Sequence, residues 1–154
     1  MEGTNDALRP LSKYGRQQSK AIGQFIAGVG VTFDAAFSSP LVRARETAQI
    51  ILPITNKEAP LELEFSDMLL NETGSVEFLK WLAGFKSANH VLLVGHNPSM
   101  TENLARLLVA KNAYALRMAK GAVACVKWEG SDLPTLKFFI TPKLLLAKRD
   151  EDED

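Results

Sequence analysis

The chain is poor in the features that announce most chemistries. It has one cysteine in 154 residues, so an internal disulfide framework is excluded. That residue, Cys125, lies in Ala122-Val123-Ala124-Cys125-Val126 and reads as a small buried hydrophobe rather than a nucleophile. Long apolar runs are also missing: nothing approaches the roughly 18 residues of a membrane span, and no signal-peptide pattern opens the chain. These two absences point to a cytoplasmic protein with no membrane partner. Charge of one sign is not in excess either. Eighteen Lys and Arg balance eighteen Asp and Glu, which leaves no global field to attract nucleic acid. Any affinity for an anion has to come from a local site. Histidine is scarce, with two residues, His90 and His96, and together with Cys125 they lack zinc-ligand spacing. Neither a Gly-x-x-x-x-Gly-Lys loop nor a Gly-x-Gly-x-x-Gly turn occurs.

What is present is an ordinary globular composition, 46% apolar and 23% charged, at the size of one domain able to bury about two-thirds of its unfolded surface. Residues 1–147 are expected to form that domain. The closing, almost wholly charged 148–154 is expected to be a solvated tail. Ser12 is a plausible N-cap for a helix whose Ala21, Ile22, Phe25, Ile26 and Val29 recur on one face, and Gly28 and Gly30 end it. Phe33 to Phe37 reads as a strand, and Ser39-Pro40 caps and opens a second helix running to about Leu52, where Pro53 stops it. Leu61 to Phe65 suggests another strand. Phe78, Leu79, Leu82 and Phe85 mark a helix from about Ser75. The strand ending at Val94 is followed by Ser99 and Glu102 at capping-box spacing, with Met100, Leu104, Leu107 and Leu108 as the buried stripe. Gly121 to Trp128 and Thr135 to Ile140 look like paired strands joined by Glu129 to Asp132. Strands alternating with helices predict an α/β three-layer sandwich: a mostly parallel sheet flanked by helices, with an antiparallel strand pair near the C-terminus.

The most informative segment is Val91-Leu92-Leu93-Val94-Gly95-His96-Asn97-Pro98-Ser99. It places an imidazole at the carboxyl end of a buried strand, beside the N-terminus of the next helix, where open α/β sheets bind ligands and exposed N–H groups suit an anion. The turn has the shape of a nucleophile elbow but carries His96 where a hydrolase needs serine. The arrangement recurs at Phe37-Ser38-Ser39-Pro40-Leu41-Val42-Arg43, with a guanidinium in the first helical turn that can hold two phosphate oxygens at once. Arg45, two residues on, points to another face and reads as surface charge. Arg9, in the loop before the first helix, is a further candidate for substrate binding. Asn97 is placed either to shape the turn or to touch a substrate. His90 reads as a solvent-facing residue at its strand's start. Asp67 and Glu72 are carboxylates in the loop after the strand expected at Leu61 to Phe65, and no spacing singles either out as a general acid.

Ser39-Pro40-Leu41-Val42-Arg43-Ala44 with Thr47-Ala48, and Gly95-His96-Asn97-Pro98 after an apolar strand, resemble the histidine phosphatase superfamily. Arg9-Pro10-Leu11-Ser12 with Gly15 resembles its small bacterial SixA-type branch of phosphohistidine phosphatases. The likeness runs in order over nearly the whole chain. It implies a phosphatase acting on phosphohistidine, in a protein or peptide, or on a small phosphate ester, through a phosphohistidine intermediate. It also implies a place in signal transduction and no metal or other cofactor. His96 and Arg43 would hold the phosphoryl group and stabilise its transferring charge. The nucleophile of the resemblance is a histidine in an arginine-histidine-glycine motif ending the first, interior strand. This sequence has no such motif, so that strand and nucleophile are expected to be absent. One expectation is that the natural protein begins upstream of Met1, since deleting an interior strand leaves neighbouring backbone unpaired. The other is a natural remnant acting as a non-catalytic phosphate- or phosphoprotein-binding module. A structural role, in which a partner's strand fills the vacant position, is a third reading.

Overall fold

A computed structural model describes residues 6–85, 87–129 and 133–146. The tail expected at 148–154 and the hairpin tip at 130–132 lie outside the described residues. The order of elements is α1 (Lys13–Gly28), β1 (Ala35–Ser38), α2 (Val42–Thr55), β2 (Glu64–Phe65), α3 (Ser75–Leu82), β3 (Val91–Val94), α4 (Ser99–Leu107), β4 (Val123–Lys127) and β5 (Thr135–Ile140). The strands β2-β1-β3 form one parallel sheet, and β4-β5 form an antiparallel pair, the mixed α/β architecture expected.

The two faces of the parallel sheet are covered by different helices. Ala36 of β1 and Leu92 of β3 join Ile22 and Ile26 of α1, Ile51 and Leu52 of α2, and Phe33 in one buried cluster. Each large aliphatic side chain buried there stabilises the fold by about 1.5–3 kcal/mol. Successive side chains of a strand point to opposite faces, so Phe37 turns the other way and meets Trp81 at 5.2 Å and Phe85 at 5.0 Å, ring centre to ring centre. Val123 and Ile140 of the strand pair pack against the aliphatic cluster as well. Among the described residues β3 has a backbone partner, β1, on one side, and β4 pairs with β5 alone.

Several local expectations are corrected. The first strand begins at Ala35 rather than Phe33, because the buried Asn56 amide takes both backbone groups of Phe33, accepting from its N–H at 3.2 Å and donating to its carbonyl at 2.7 Å. The segment from Leu61 pairs only at Glu64 and Phe65; Leu61 and Leu63 pack on the core without a ladder. The second helix starts at Val42 and passes Pro53 to end at Thr55. Proline removes one helical donor, and the Asn56 N–H closing on the Leu52 carbonyl at 2.8 Å carries the last turn. Val29, expected on the buried face, is exposed at the end of α1. Ser99 lies inside α4 instead of capping it, so the Ser99–Glu102 capping box does not form. Asn71 supplies the cap from another loop, its Oδ1 accepting from Ser99 N–H at 3.2 Å. Cys125 is half-buried rather than fully enclosed, and burial raises its thiol pKa above the ordinary value. Ser12 caps α1 as expected, its Oγ accepting from Gly15 N–H at 3.0 Å. Among the described residues no helix is long and apolar enough to cross a membrane.

Candidate functional site

The parallel register of β1 and β3 pairs Ser38 with Val94, so both strands end at the same level and both following turns open on one edge of the sheet. The backbone continues this match: Ser39 N–H donates to the Val94 carbonyl at 3.0 Å. Beyond it the two turns are joined side chain to side chain, with Ser39 Oγ 2.5 Å from His96 Nε2. Ser39 is fully buried and its Oγ accepts from Leu41 N–H at 3.3 Å. Its hydroxyl proton is therefore free to be donated to a neutral imidazole.

Gly95 makes this approach possible. A Cβ there would lie 2.7 Å from Met100 Sδ and 3.0 Å from the Leu69 carbonyl oxygen, so a side chain would push the turn off its neighbours. The loop after His96 is fixed by Asn97. Its Nδ2 donates to the Met118 carbonyl at 2.6 Å, its Oδ1 accepts from Thr101 Oγ1 at 3.1 Å, and its carbonyl accepts from Asn71 Nδ2 at 2.9 Å. Both ends of the Asn97 amide are thus engaged within the fold.

His96 is half-buried, and its pKa lies below the usual imidazole value of 6.5. Burial is the main cause and the positive charge of Arg43 the second, opposed by Asp6 and Glu72. The two cationic groups therefore share one electrostatic environment. Arg43 projects from the first turn of α2, its side chain 26% exposed. Nη1 donates to the Asp6 carbonyl at 2.9 Å and Nη2 to Asp6 Oδ2 at 3.2 Å. The other carboxylate oxygen of Asp6 is 3.2 Å from Arg9 Nη2. Arg9 thus reaches the same locality through Asp6.

The bonds of Ser39 to His96 and of Asp6 to Arg43 are the site contacts that sequence reasoning missed. Ser39 reads in the sequence as a helix cap and as the start of the Ser39-to-Ala44 motif, with no signal of its bond to His96. Asp6 had one faint signal, its position three residues before Arg9. Glu72, one of the two loop carboxylates considered as a general acid, acts on His96 through its negative charge. The companion carboxylate Asp67 starts a short 3₁₀ turn, with its carbonyl accepting from Thr73 Oγ1 at 2.5 Å. His90 is exposed at the start of β3, its N–H held by Asp34 Oδ1 at 2.6 Å. It stands at the end of the strand opposite to His96. Among the described residues no three His, Cys, Asp or Glu side chains gather as a metal site requires.

A guanidinium, an imidazole and a buried hydroxyl thus stand at the carboxyl ends of two adjacent parallel strands. Residues 2–73 match the family model of the histidine phosphatase superfamily, branch 1. An uncharacterized protein of Picosynechococcus sp. is 29% identical over 121 residues, covering 77% of this chain and 71% of that one. The 2,3-bisphosphoglycerate-dependent phosphoglycerate mutase of Rhizobium etli is 43% identical over 54 residues, which is 35% of this chain but 25% of the mutase. Among solved structures, the protein histidine phosphatase SixA complexed with tungstate superposes with a TM-score of 0.81 at 22% identity, over 91% of this chain and 88% of that one. A SixA structure from Nakamurella multipartitia gives 0.71 at 25% identity, over 89% and 87%. The chain has the SixA-type fold, and its residues 2–73 are similar to the histidine phosphatase superfamily, branch 1.

Proposed function

We propose that the site binds a phosphoryl group and is that of a phosphatase of phosphohistidine, or of a small phosphate ester, whose reaction runs through a phosphohistidine intermediate, with the nucleophile of that reaction missing from the chain as given. The observation that carries this reading is the joining of the two turns, Ser39 Oγ to His96 Nε2 at 2.5 Å, with Arg43 close enough to depress the His96 pKa. Arg43 grips two phosphoryl oxygens, and protonated His96 donates to a third as charge develops. Arg9 and the remaining amide hydrogen of Asn97 complete the substrate contacts. Tungstate, found with the SixA structure, is a geometric stand-in for phosphate and serves as a probe. The partner is a phosphorylated protein or a small phosphate ester, met in the cytoplasm and in signal transduction.

One observation favours a second reading, a non-catalytic phosphate- or phosphoprotein-binding module. The sequence holds two histidines, and His90 cannot reach His96 from the far end of β3. A nucleophilic histidine beside a phosphate-holding one is not available from these residues, so the 154-residue chain is catalytically incomplete. One experiment tests both points. The purified chain is titrated with tungstate by calorimetry and then incubated with a phosphohistidine peptide, with phosphoenzyme followed by mass spectrometry. Saturable tungstate binding without phosphoenzyme is the expected result. Turnover at enzyme-like rates contradicts the incompleteness, and absence of tungstate binding contradicts the site.

A further inference from the structure

The arginine pair is not empty-handed in this molecule. Each oxygen of the Asp6 carboxylate faces a different arginine, Oδ1 to Arg9 and Oδ2 to Arg43, both at 3.2 Å. The Asp6 carbonyl adds a bond from Arg43 Nη1 at 2.9 Å. A planar oxyanion bridging two guanidinium groups is the contact a phosphoryl group would make. A dianion entering beside an unmoved carboxylate would also meet direct repulsion. Resting on the phosphoryl-site reading above, we infer that Asp6 is an internal competitor for the oxyanion: its carboxylate occupies Arg9 and Arg43 until a phosphoryl group displaces it. Asp6 thereby sets the affinity of the site. Weak free anions are discriminated against, while a ligand with contacts beyond its phosphoryl group outcompetes the carboxylate.

The Asp6 side chain is 49% exposed, so the competition is weak enough to be reversible. Removing the carboxylate frees both arginines and leaves the carbonyl contact in place. Asp6 also favours protonated His96, an effect of opposite sign on anion binding. The comparison is therefore made at about pH 8, where the imidazole is neutral in every variant. Inorganic phosphate is titrated by calorimetry into the unaltered chain, Asp6→Asn, Asp6→Ala and Asp6→Glu, with circular dichroism confirming the fold. The expected result is phosphate bound about three- to tenfold tighter by Asp6→Asn and Asp6→Ala, from loss of two exposed ion pairs, with Asp6→Glu close to the unaltered chain. Equal or weaker binding in Asp6→Asn and Asp6→Ala overturns the proposal and makes Asp6 a positioner of the arginines, leaving the phosphoryl site intact. Failure of all four proteins to bind phosphate overturns the phosphoryl-site reading itself, and this inference with it.

Discussion

The β1–α2 and β3–α4 junctions share a plan and differ in what they lend to it. Both end parallel strands at the same level, both pass through a proline, and both offer a nitrogenous side chain to the same edge of the sheet. Arg43 comes from within a helix, partly exposed and permanently charged, and its partner in the resting molecule is a carboxylate. His96 comes from the turn itself, half-buried and with its charge suppressed by burial and by Arg43, and its partner is a neutral hydroxyl. The difference separates two tasks. In the proposed site the guanidinium would supply constant attraction and two-pronged geometry, whereas the imidazole would supply a proton that arrives only with the ligand's negative charge.

Removing the constant member has the largest effect. Arg43→Ala is expected to weaken tungstate binding about 100-fold, the worth of one to two charge-assisted hydrogen bonds. Its thermal midpoint should change little, because the side chain is outside the core. Arg43→Lys recovers only part of the affinity, since an ammonium group lacks the fork. Retained tungstate affinity in Arg43→Ala would erase the division of labour between the junctions. A smaller effect comes from displacing the other junction without touching its imidazole. Gly95→Ala sets a methyl group against Met100 and the Leu69 carbonyl. It is expected to cost about 1–3 kcal/mol of stability in chemical denaturation and to weaken tungstate binding about tenfold by shifting His96. Unchanged binding in a destabilised protein would show that the His96 position is not critical.

The strand-turn-helix pattern was legible because Val91 to Val94 is continuously apolar and breaks at Gly95, and because Ser39-Pro40 punctuates the chain sharply. The stripe of Ile22 and Ile26 gave the buried face of α1 for the same reason. What the sequence hid was contact at a distance. Asn56 closes the backbone of Phe33 from 23 residues away, so no local propensity shows that β1 starts two residues late. The capping-box spacing of Ser99 and Glu102 was misleading because Asn71, 28 residues earlier, had already taken the cap. In the site itself, residue types were readable and partners were not. His96 and Arg43 stand out at their turns, but the Ser39 bridge and the Asp6 clasp depend on the parallel register and on the loop before α1.

Whether Arg43 and His96 face one anion is decided by nitrogen NMR of the His96 imidazole with and without tungstate. In the free protein, the depressed pKa means that the folded chain takes up its proton at lower pH than the unfolded chain, so His96 costs stability as pH falls through 6.5. A bound oxyanion stabilises the charged imidazole and has to reverse that shift. Tungstate is expected to raise the His96 pKa by about one unit or more in the unaltered chain, and the rise is expected to vanish at the same tungstate concentration in Arg43→Ala. Tungstate that binds with Arg43 in place and leaves the His96 titration where it was would contradict the shared site.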